Sequence, residues 1–156
     1  MNQDTNVANA VVRPPVAWVL AFVAGLGVDW LYPLRFVPTS VPADWIGGAV
    51  FSVGLVLAIW AIATMRRAGT RVETYKPTTA IVENGPYRFT RNPIYLGMFL
   101  GQAGLAMGFN NAWILAMLVP FYFAIRFGVI AREEAYLERN FGAVYLAYKS
   151  RVRRWL

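Results

Sequence analysis

Residues 85–97 form the first group of side chains that could bind a ligand, because charged and aromatic residues are close together there. They read Gly-Pro-Tyr-Arg-Phe-Thr-Arg-Asn-Pro-Ile-Tyr-Leu-Gly. Pro93 suits the first turn of a helix, where its missing N–H costs nothing, and Asn92 would cap that helix. Arg88 and Arg91 would then lie beside free backbone N–H groups, at a place that binds anions and carboxylates. An ordinary helix start explains each residue separately, but not the crowding of two arginines and two tyrosines into one turn.

Arg126, Glu133 and Glu134 form a second charged group, at the end of the last apolar stretch. The glutamates follow Arg126 by seven and eight residues, which places all three on roughly the same helical face. A charge within an apolar stretch is costly and is by default a candidate functional residue. The alternatives are that Arg126 extends to the membrane surface and that the glutamates are solvated. The residues alone leave these interpretations open.

Four glycines, Gly97, Gly101, Gly104 and Gly108, follow one another in steps of 4, 3 and 4. This spacing places them on one face of a helix. Such a face favours close packing of a second helix. The alternative is a groove that admits a cofactor or an acyl chain. Packing is the better explanation, and the two are compatible.

The composition indicates a membrane protein of one domain. Of the 156 residues, 58% are hydrophobic and 15% are charged, against about 45–50% and about 25% in ordinary soluble domains. The net charge is +7, and the basic residues lie between and after apolar stretches, which indicates anionic lipid rather than nucleic acid as the partner. The chain has no cysteine and no histidine, so cysteine nucleophiles and Cys/His zinc sites are excluded. We predict no metal site, and any general base must be Asp, Glu, Lys, Tyr or water.

The apolar stretches predict an all-α integral membrane bundle of about four transmembrane helices. A spanning helix needs roughly 20 residues, so the second and fourth stretches fit, the first is short, and the third is a tilted or partial span. A mobile polar lead-in precedes the single domain, and a short amphipathic helix on the cytoplasmic face follows the last span. The predicted boundaries are 1–15 for the lead-in, 16–156 for the domain, about 16–32, 45–65, 94–109 and 112–139 for the four helices, and about 142–151 for the tail helix.

The distribution of basic residues predicts the orientation in the membrane. The turn at Asn110 and Asn111 has none, whereas the loop after the second stretch and the C-terminal tail are rich in them. The positive-inside rule therefore places this loop and both termini in the cytoplasm. The basic residues are Arg66, Arg67, Arg71, Lys76, Arg88 and Arg91 in the loop, and Arg132, Arg139, Lys149, Arg151, Arg153 and Arg154 in the tail.

In their order and spacing, these motifs resemble the isoprenylcysteine carboxyl methyltransferase and phospholipid methyltransferase group of integral membrane enzymes. The resemblance covers about residues 79–155 and rests on 85–88, on 91–97, on Glu133 and Glu134, and on Phe141-Gly142 with Tyr145 and Tyr148. It implies an S-adenosylmethionine pocket between the last helices, open to the cytoplasm. The residues that would line this pocket are Tyr87, Arg88, Arg91, Asn92, Pro93, Tyr95, Leu96, Gly97, Glu133 and Glu134.

Asn92 departs from the group, which often has histidine at this position. Asparagine donates and accepts hydrogen bonds but takes no proton. Methyl transfer from a sulfonium depends mainly on orientation, and a carboxylate acceptor is already ionised at neutral pH. The absence of histidine therefore favours a lipid-like acceptor with a carboxylate over an amine. Arg126, Arg151 or Arg154 would hold an anionic headgroup, and we take Arg126 and Arg154 as the catalytic candidates.

Two other functions remain open from the sequence. Membrane sterol reductases are similar in the C-terminal region, and such an enzyme would bind NADPH with Arg66, Arg67 and Arg71 on its 2′-phosphate. A non-catalytic protein would use the basic tail to bind anionic lipid or a partner, and Glu133→Gln and Tyr95→Phe would then be neutral. Residue types and spacing carry no information on the identity of the acceptor or on the oligomeric state.

Overall fold

The computed structural model describes residues 10–70 and 78–156, and every regular element within these ranges is helical. The predicted all-α class is therefore confirmed for the described residues. Residues 1–9 of the predicted lead-in, together with Arg71 and Lys76, lie outside them. The helices are α1 (Pro14–Leu31), α2 (Ala43–Arg67), α3 (Pro93–Gly108), α4 (Ala112–Ala116), α5 (Leu118–Ile125), α6 (Ala131–Phe141) and α7 (Ala143–Arg151), with a 3-10 turn at Gly85–Arg88 and a π-helical turn at Arg126–Ile130.

Three helical runs in the described chain are long and apolar enough to cross a membrane. They are α1 with 18 residues, α2 with 25, and the run Ala112–Phe141 with 30, which joins α4 to α6. α3 has 16 residues, just below the range of about 17–25 that a span requires. The predicted count of about four transmembrane helices is therefore not confirmed, and the difference falls on the third stretch, which we expected to be a tilted or partial span.

Glycines bring α2 and α3 into backbone contact. A Cβ atom on Gly104 would lie 2.4 Å from the backbone nitrogen of Phe51, and one on Gly54 would lie 2.6 Å from the carbonyl oxygen of Gly97. Real Cβ atoms essentially never approach other atoms so closely. These contacts match the packing interpretation of the glycine face and leave no groove between the two backbones at these positions.

Gly104→Ala is expected to destabilise the protein by about 2 kcal/mol, because an added methyl group meets backbone that cannot move aside. The matched control is Gly101→Ala on the same helix. A Cβ atom there would have its nearest neighbour, a ring carbon of Phe51, at 3.8 Å, which is ordinary contact. The measurement is thermal unfolding of both variants in detergent. Equal melting temperatures for the two variants would contradict this account of the α2–α3 contact.

The last long run is interrupted and then ends in a sharp turn. The π-helical turn inserts an extra residue between α5 and α6. α6 ends at Phe141, and Gly142 follows with a φ of 48°, a conformation that favours glycine. The break therefore lies at the predicted Phe141-Gly142 position, slightly beyond the predicted helix end at about 139. α7 buries Tyr145 and Tyr148.

The predicted amphipathic character of the tail helix is not confirmed. Although α7 directs two tyrosines inward, Val144 is 59% exposed and Leu146 is 52% exposed on its outer surface. Apolar side chains therefore occur on both sides of the helix. Its basic residues cluster near its end, at Lys149 and Arg151, where each pairs with a glutamate, Glu138 and Glu83 respectively.

Candidate active site

The 3-10 turn at Gly85–Arg88 carries Tyr87 into the protein interior. Gly85 begins the turn with a φ of 59° and lies against the last turns of α2, where a Cβ atom would meet Thr64 Oγ1 at 2.8 Å. Tyr87 is 8% exposed, and its carbonyl accepts a hydrogen bond from Tyr148 Oη at 2.8 Å. The turn is therefore held from two sides, by α2 and by α7.

α3 begins at Pro93, as the sequence predicted. The side chain of Asn92 does not cap it, because the backbone at Asn92 has a ψ of 52° and lacks the extended conformation that a capping residue adopts. Instead, Asn92 Nδ2 donates to the Arg154 carbonyl at 3.0 Å. Thr90 Oγ1 donates to the same carbonyl at 3.0 Å. The start of α3 is thus tied to the C-terminal segment.

Tyr95 and Glu133 join α3 to α6. Tyr95 Oη donates a hydrogen bond of 2.9 Å to Glu133 Oε1. Tyr95 is 8% exposed, and it belongs to the apolar core formed with Phe121 and Ile125. Among the described residues, no guanidinium or ammonium pairs with Glu133. Within the described ranges, the partner of its carboxyl group is therefore the Tyr95 phenol.

Glu134, one residue later, has a different environment. Arg154 Nε and Nη2 donate to its two carboxylate oxygens at 2.8 Å each. Arg91 Nη1 lies 3.0 Å from Glu134 Oε1 and also donates to Tyr145 Oη at 3.0 Å. The side chains of Arg91 and Glu134 are only 9% and 12% exposed. One carboxylate thus neutralises part of the charge of two guanidinium groups, and Arg91 Nε is buried with no hydrogen-bond partner in the part of the chain that the structure describes.

The C-terminal segment, residues 152–156, forms one wall of this region. The carbonyl of Arg153 accepts a hydrogen bond from the backbone N–H of Arg91 at 2.9 Å. Trp155 packs against Phe99 and Tyr122, with ring centroids 5.6 Å and 6.0 Å apart. The segment is therefore fixed by main-chain hydrogen bonds, by the Arg154–Glu134 pair and by aromatic packing.

The tyrosine hydroxyls of the site are held in their protonated form. Burial raises the pKa of Tyr87 and of Tyr148 well above the ordinary tyrosine value, although the nearby Arg91 opposes this at Tyr148. Burial also raises the pKa of Tyr145. The hydrogen bond to Glu134 raises the pKa of Arg154. At neutral pH the site therefore offers phenolic hydrogen-bond donors and permanently charged guanidinium groups.

The structure brings together most, but not all, of the residues that the sequence singled out. Arg126 makes no ion pair with a described residue, and its guanidinium lies 5.3 Å from the ring centroid of Phe127. Arg88 is exposed, and Gly97 contacts α2 rather than an open pocket. Pro93 is buried and Leu96 is half-buried on α3. The residues that do meet are Tyr87, Arg91, Asn92, Tyr95, Glu133, Glu134 and Arg154.

Three contributors to the site were not predicted. Thr90 and Trp155 hold the C-terminal segment, and Tyr136 Oη accepts a hydrogen bond from the backbone N–H of Thr78 at 3.1 Å. Tyr136 is 3% exposed and lies three residues after Glu133 on α6. This spacing places both residues on one helical face, and it is the sequence signal that could have identified Tyr136. Thr90 and Trp155 carried no such signal, because their partners are distant in sequence.

Comparison with known proteins identifies related sequences. Residues 43–144 match the family described as phospholipid methyltransferase. The chain is 29% identical over 143 residues to protein-S-isoprenylcysteine O-methyltransferase A of Arabidopsis thaliana, which covers 86% of this chain and 71% of that protein. It is 30% identical over 98 residues to the nickel-cobalt-cadmium resistance protein NccN of Alcaligenes xylosoxydans xylosoxydans, covering 62% of this chain and 45% of that protein.

A shorter relative matches in full. The chain is 38% identical over 63 residues to an uncharacterized protein of Haemophilus influenzae, which covers 40% of this chain and 100% of that protein. This chain therefore spans less than half of the metal-resistance relative but all of the shorter one. No solved structure shows significant similarity to it.

Proposed function

Because this chain belongs to the phospholipid methyltransferase family, we propose that it transfers a methyl group from S-adenosylmethionine to a lipid-like acceptor at the cytoplasmic face of the membrane. The family and the apolar helices support an integral membrane methyltransferase. The identity of the methyl donor, the class of the acceptor and the side of the membrane are proposed in addition to this. They are supported by the chemistry of the site and by the distribution of basic residues.

The observation that carries the proposal is the Tyr95–Glu133 pair, a carboxylate bound to a phenol and not to a cation. Such a carboxylate retains its capacity to bind the ammonium group or the ribose hydroxyls of a nucleoside ligand. Tyr87 and Tyr95 present aromatic rings, which favour a sulfonium cation. The unpartnered Arg91 Nε is a donor for the ligand's own carboxylate. The residues present therefore fit S-adenosylmethionine, which when bound supplies an activated methyl group.

The mechanism assigned to the protein is binding and orientation. Tyr95 and Glu133 would fix one end of the donor, while Arg91 would fix another, so that the methyl carbon faces the acceptor. Tyr95 contacts Glu133, and Arg91 contacts Glu134, so a nucleoside that enters here must separate these contacts. The ligand's carboxylate would then take the place of Glu134 beside Arg91, while Glu134 would keep its two hydrogen bonds from Arg154.

The acceptor proposed is an amphiphile with an oxygen nucleophile, and a carboxylate fits best. Asn92 takes no proton and the chain has no histidine, whereas a carboxylate is ionised at neutral pH and needs no base. The name of the Arabidopsis relative, which describes O-methyl transfer to an isoprenylcysteine, supports an oxygen acceptor. The exposed apolar residues of the spanning helices would let its chain approach from the bilayer.

The test is to incubate the purified protein, reconstituted in nanodiscs of host lipid, with S-adenosylmethionine labelled in the methyl group. We expect label to enter the lipid fraction, and release of labelled methanol on mild alkaline treatment would identify a carboxyl ester. Unlabelled lipid, together with thermal stabilisation by NADPH and not by S-adenosylmethionine, would contradict the proposal. That outcome would favour the reductase alternative.

A further inference from the structure

One face of α2 combines apolar and polar residues in an order that suits an amphiphile. Val53, Val56, Trp60, Thr64 and Arg67 follow one another in steps of 3, 4, 4 and 3, which places them on a single helical face. We call this face the α2 stripe. Val53 is 61% exposed, Val56 is 64% exposed and Trp60 is 46% exposed. The stripe is therefore apolar along the membrane-spanning part of α2 and ends in a hydroxyl and a guanidinium.

The polar end of the α2 stripe opens into a cleft of about 330 Å³. Trp60, Thr64 and Arg67 form one side of it, and Asn84 and Gly85 form the other. A cavity of this size lies at the lower end of the range of ligand sites, about 300–1,000 Å³. An indole, a guanidinium and a carboxamide converge there, so the cleft combines an apolar wall with hydrogen-bond donors.

Arg67 is the charged residue of the cleft, and its charge is not neutralised by the described residues. It is exposed, and it makes no ion pair with any carboxylate in the ranges 10–70 and 78–156. Arg151, in contrast, pairs with Glu83, next to the cleft wall, at 2.8 Å. As far as the described residues go, the cleft therefore presents one guanidinium without a carboxylate partner, which favours an anionic ligand and disfavours a cationic one.

The cleft adjoins the candidate active site through the 3-10 turn. Gly85 lines the cleft, and Tyr87, two residues later in the same turn, is buried among the residues of the site. The Tyr87 carbonyl accepts a hydrogen bond from Tyr148 Oη at 2.8 Å. The Tyr148 ring lies 6.3 Å from that of Tyr145, which accepts a hydrogen bond from Arg91. A molecule in the cleft would thus lie beside the turn that carries Tyr87 into the protein interior.

We propose that this cleft binds an anionic group of the methyl acceptor, whose apolar chain lies along the α2 stripe. The inference rests on the proposed methyl transfer and adds the place and charge of the acceptor. Arg67 holds the anionic group, the Asn84 carboxamide offers N–H donors, and Trp60 packs at the junction of head and chain. An indole suits such a junction, because it has an apolar ring and a polar N–H.

The experiment measures binding of dioleoyl phosphatidylglycerol and dioleoyl phosphatidylcholine to the full-length protein in detergent by native mass spectrometry. We expect the wild type to bind the anionic lipid more tightly. Arg67→Gln should weaken that binding about fivefold, the effect of one basic residue beside an anionic group. The control is Arg66→Gln, which removes the same charge from the preceding, also exposed residue and should change binding by less than about twofold.

Three outcomes would overturn the inference. They are equal affinity of the wild type for the two lipids, equal weakening by the two variants, and displacement of the lipid by inorganic phosphate at the same concentration. Calorimetric titration with S-adenosylmethionine separates this proposal from the proposed function. Wild type and Arg67→Gln should bind the donor with equal affinity. If the wild type does not bind it, the methyl-transfer proposal is wrong, and the lipid measurement still tests whether the cleft binds an anionic amphiphile.

Discussion

Glu133→Gln is expected to lower methyl transfer at least about 100-fold and to leave the fold intact. The substitution preserves the size of the side chain and its capacity to accept a hydrogen bond from Tyr95, so the α3–α6 contact survives. It removes the charge that is proposed to bind the donor, and loss of a charged hydrogen bond costs about 1.5–3 kcal/mol. Misplacement of the reacting atoms by about 1 Å costs a further factor of up to about 100.

The measurement combines label transfer with calorimetric binding of S-adenosylmethionine. Glu138→Gln is the matched control, because Glu138 lies on the same helix and its partner is the half-exposed Lys149 on α7. We expect this variant to retain near wild-type activity. Tyr95→Phe should show an intermediate loss, since it removes the phenol hydroxyl but not the charge. If Glu133→Gln binds the donor as tightly as the wild type, Glu133 does not hold it.

Glu134→Gln is expected to destabilise the protein by about 3 kcal/mol, the effect of removing one member of a buried ion pair. Arg91, whose side chain is 9% exposed, would keep its charge in a buried place without a carboxylate. The contact between the C-terminal segment and the start of α3 would weaken too, because Arg154 binds both oxygens of Glu134. For a chain of this length, we expect the melting temperature in detergent to fall by about 6–12 °C.

Arg154→Gln is the control for this prediction. It also breaks the bidentate pair, but it leaves Glu134 bound to Arg91 at 3.0 Å, and the Arg154 side chain is 30% exposed. Its effect on the melting temperature should therefore be less than half that of Glu134→Gln. Equal effects of the two substitutions would mean that the Arg91–Glu134 contact contributes little to stability.

The two adjacent carboxylates therefore have different expected roles, which the sequence alone did not distinguish. Both belong to one motif and both were expected to bind the donor. The structure gives Glu134 two guanidinium partners and Glu133 a single phenol. In physical terms, a carboxylate already bound to two cations has little attraction left for a third. We therefore expect Glu134 to position the site and Glu133 to contact the ligand.

The sequence was most informative where a residue type favours one particular backbone conformation or packing contact. Pro93 predicted the start of α3, and Gly142 predicted the turn after α6, since proline and glycine restrict or permit particular backbone conformations. The glycine face predicted close helix packing, which the α2–α3 contact shows. In each of these cases the signal is local, and the neighbouring helix only has to accommodate it.

The sequence was least informative about contacts made by main-chain atoms. The carbonyls of Arg153 and Arg154 hold the start of α3, but every residue has a carbonyl, so no residue type marks this role. The helical face that Arg126 shares could not be counted from the sequence either. The π-helical turn at Arg126–Ile130 changes the helical register between Arg126 and the glutamates, and a simple count of residues per turn does not anticipate it.

The most direct test of donor binding by Glu133 and Arg91 is a structure of the protein with S-adenosylhomocysteine, the product that methyl transfer would leave. We expect its amino or ribose groups within hydrogen-bond distance of Glu133, its carboxylate against Arg91, and its thioether beside Tyr87 or Tyr95. The Arg91–Glu134 contact would be lengthened to admit it. Nucleoside density located elsewhere, with the Tyr95–Glu133 and Arg91–Glu134 contacts unchanged, would contradict the account.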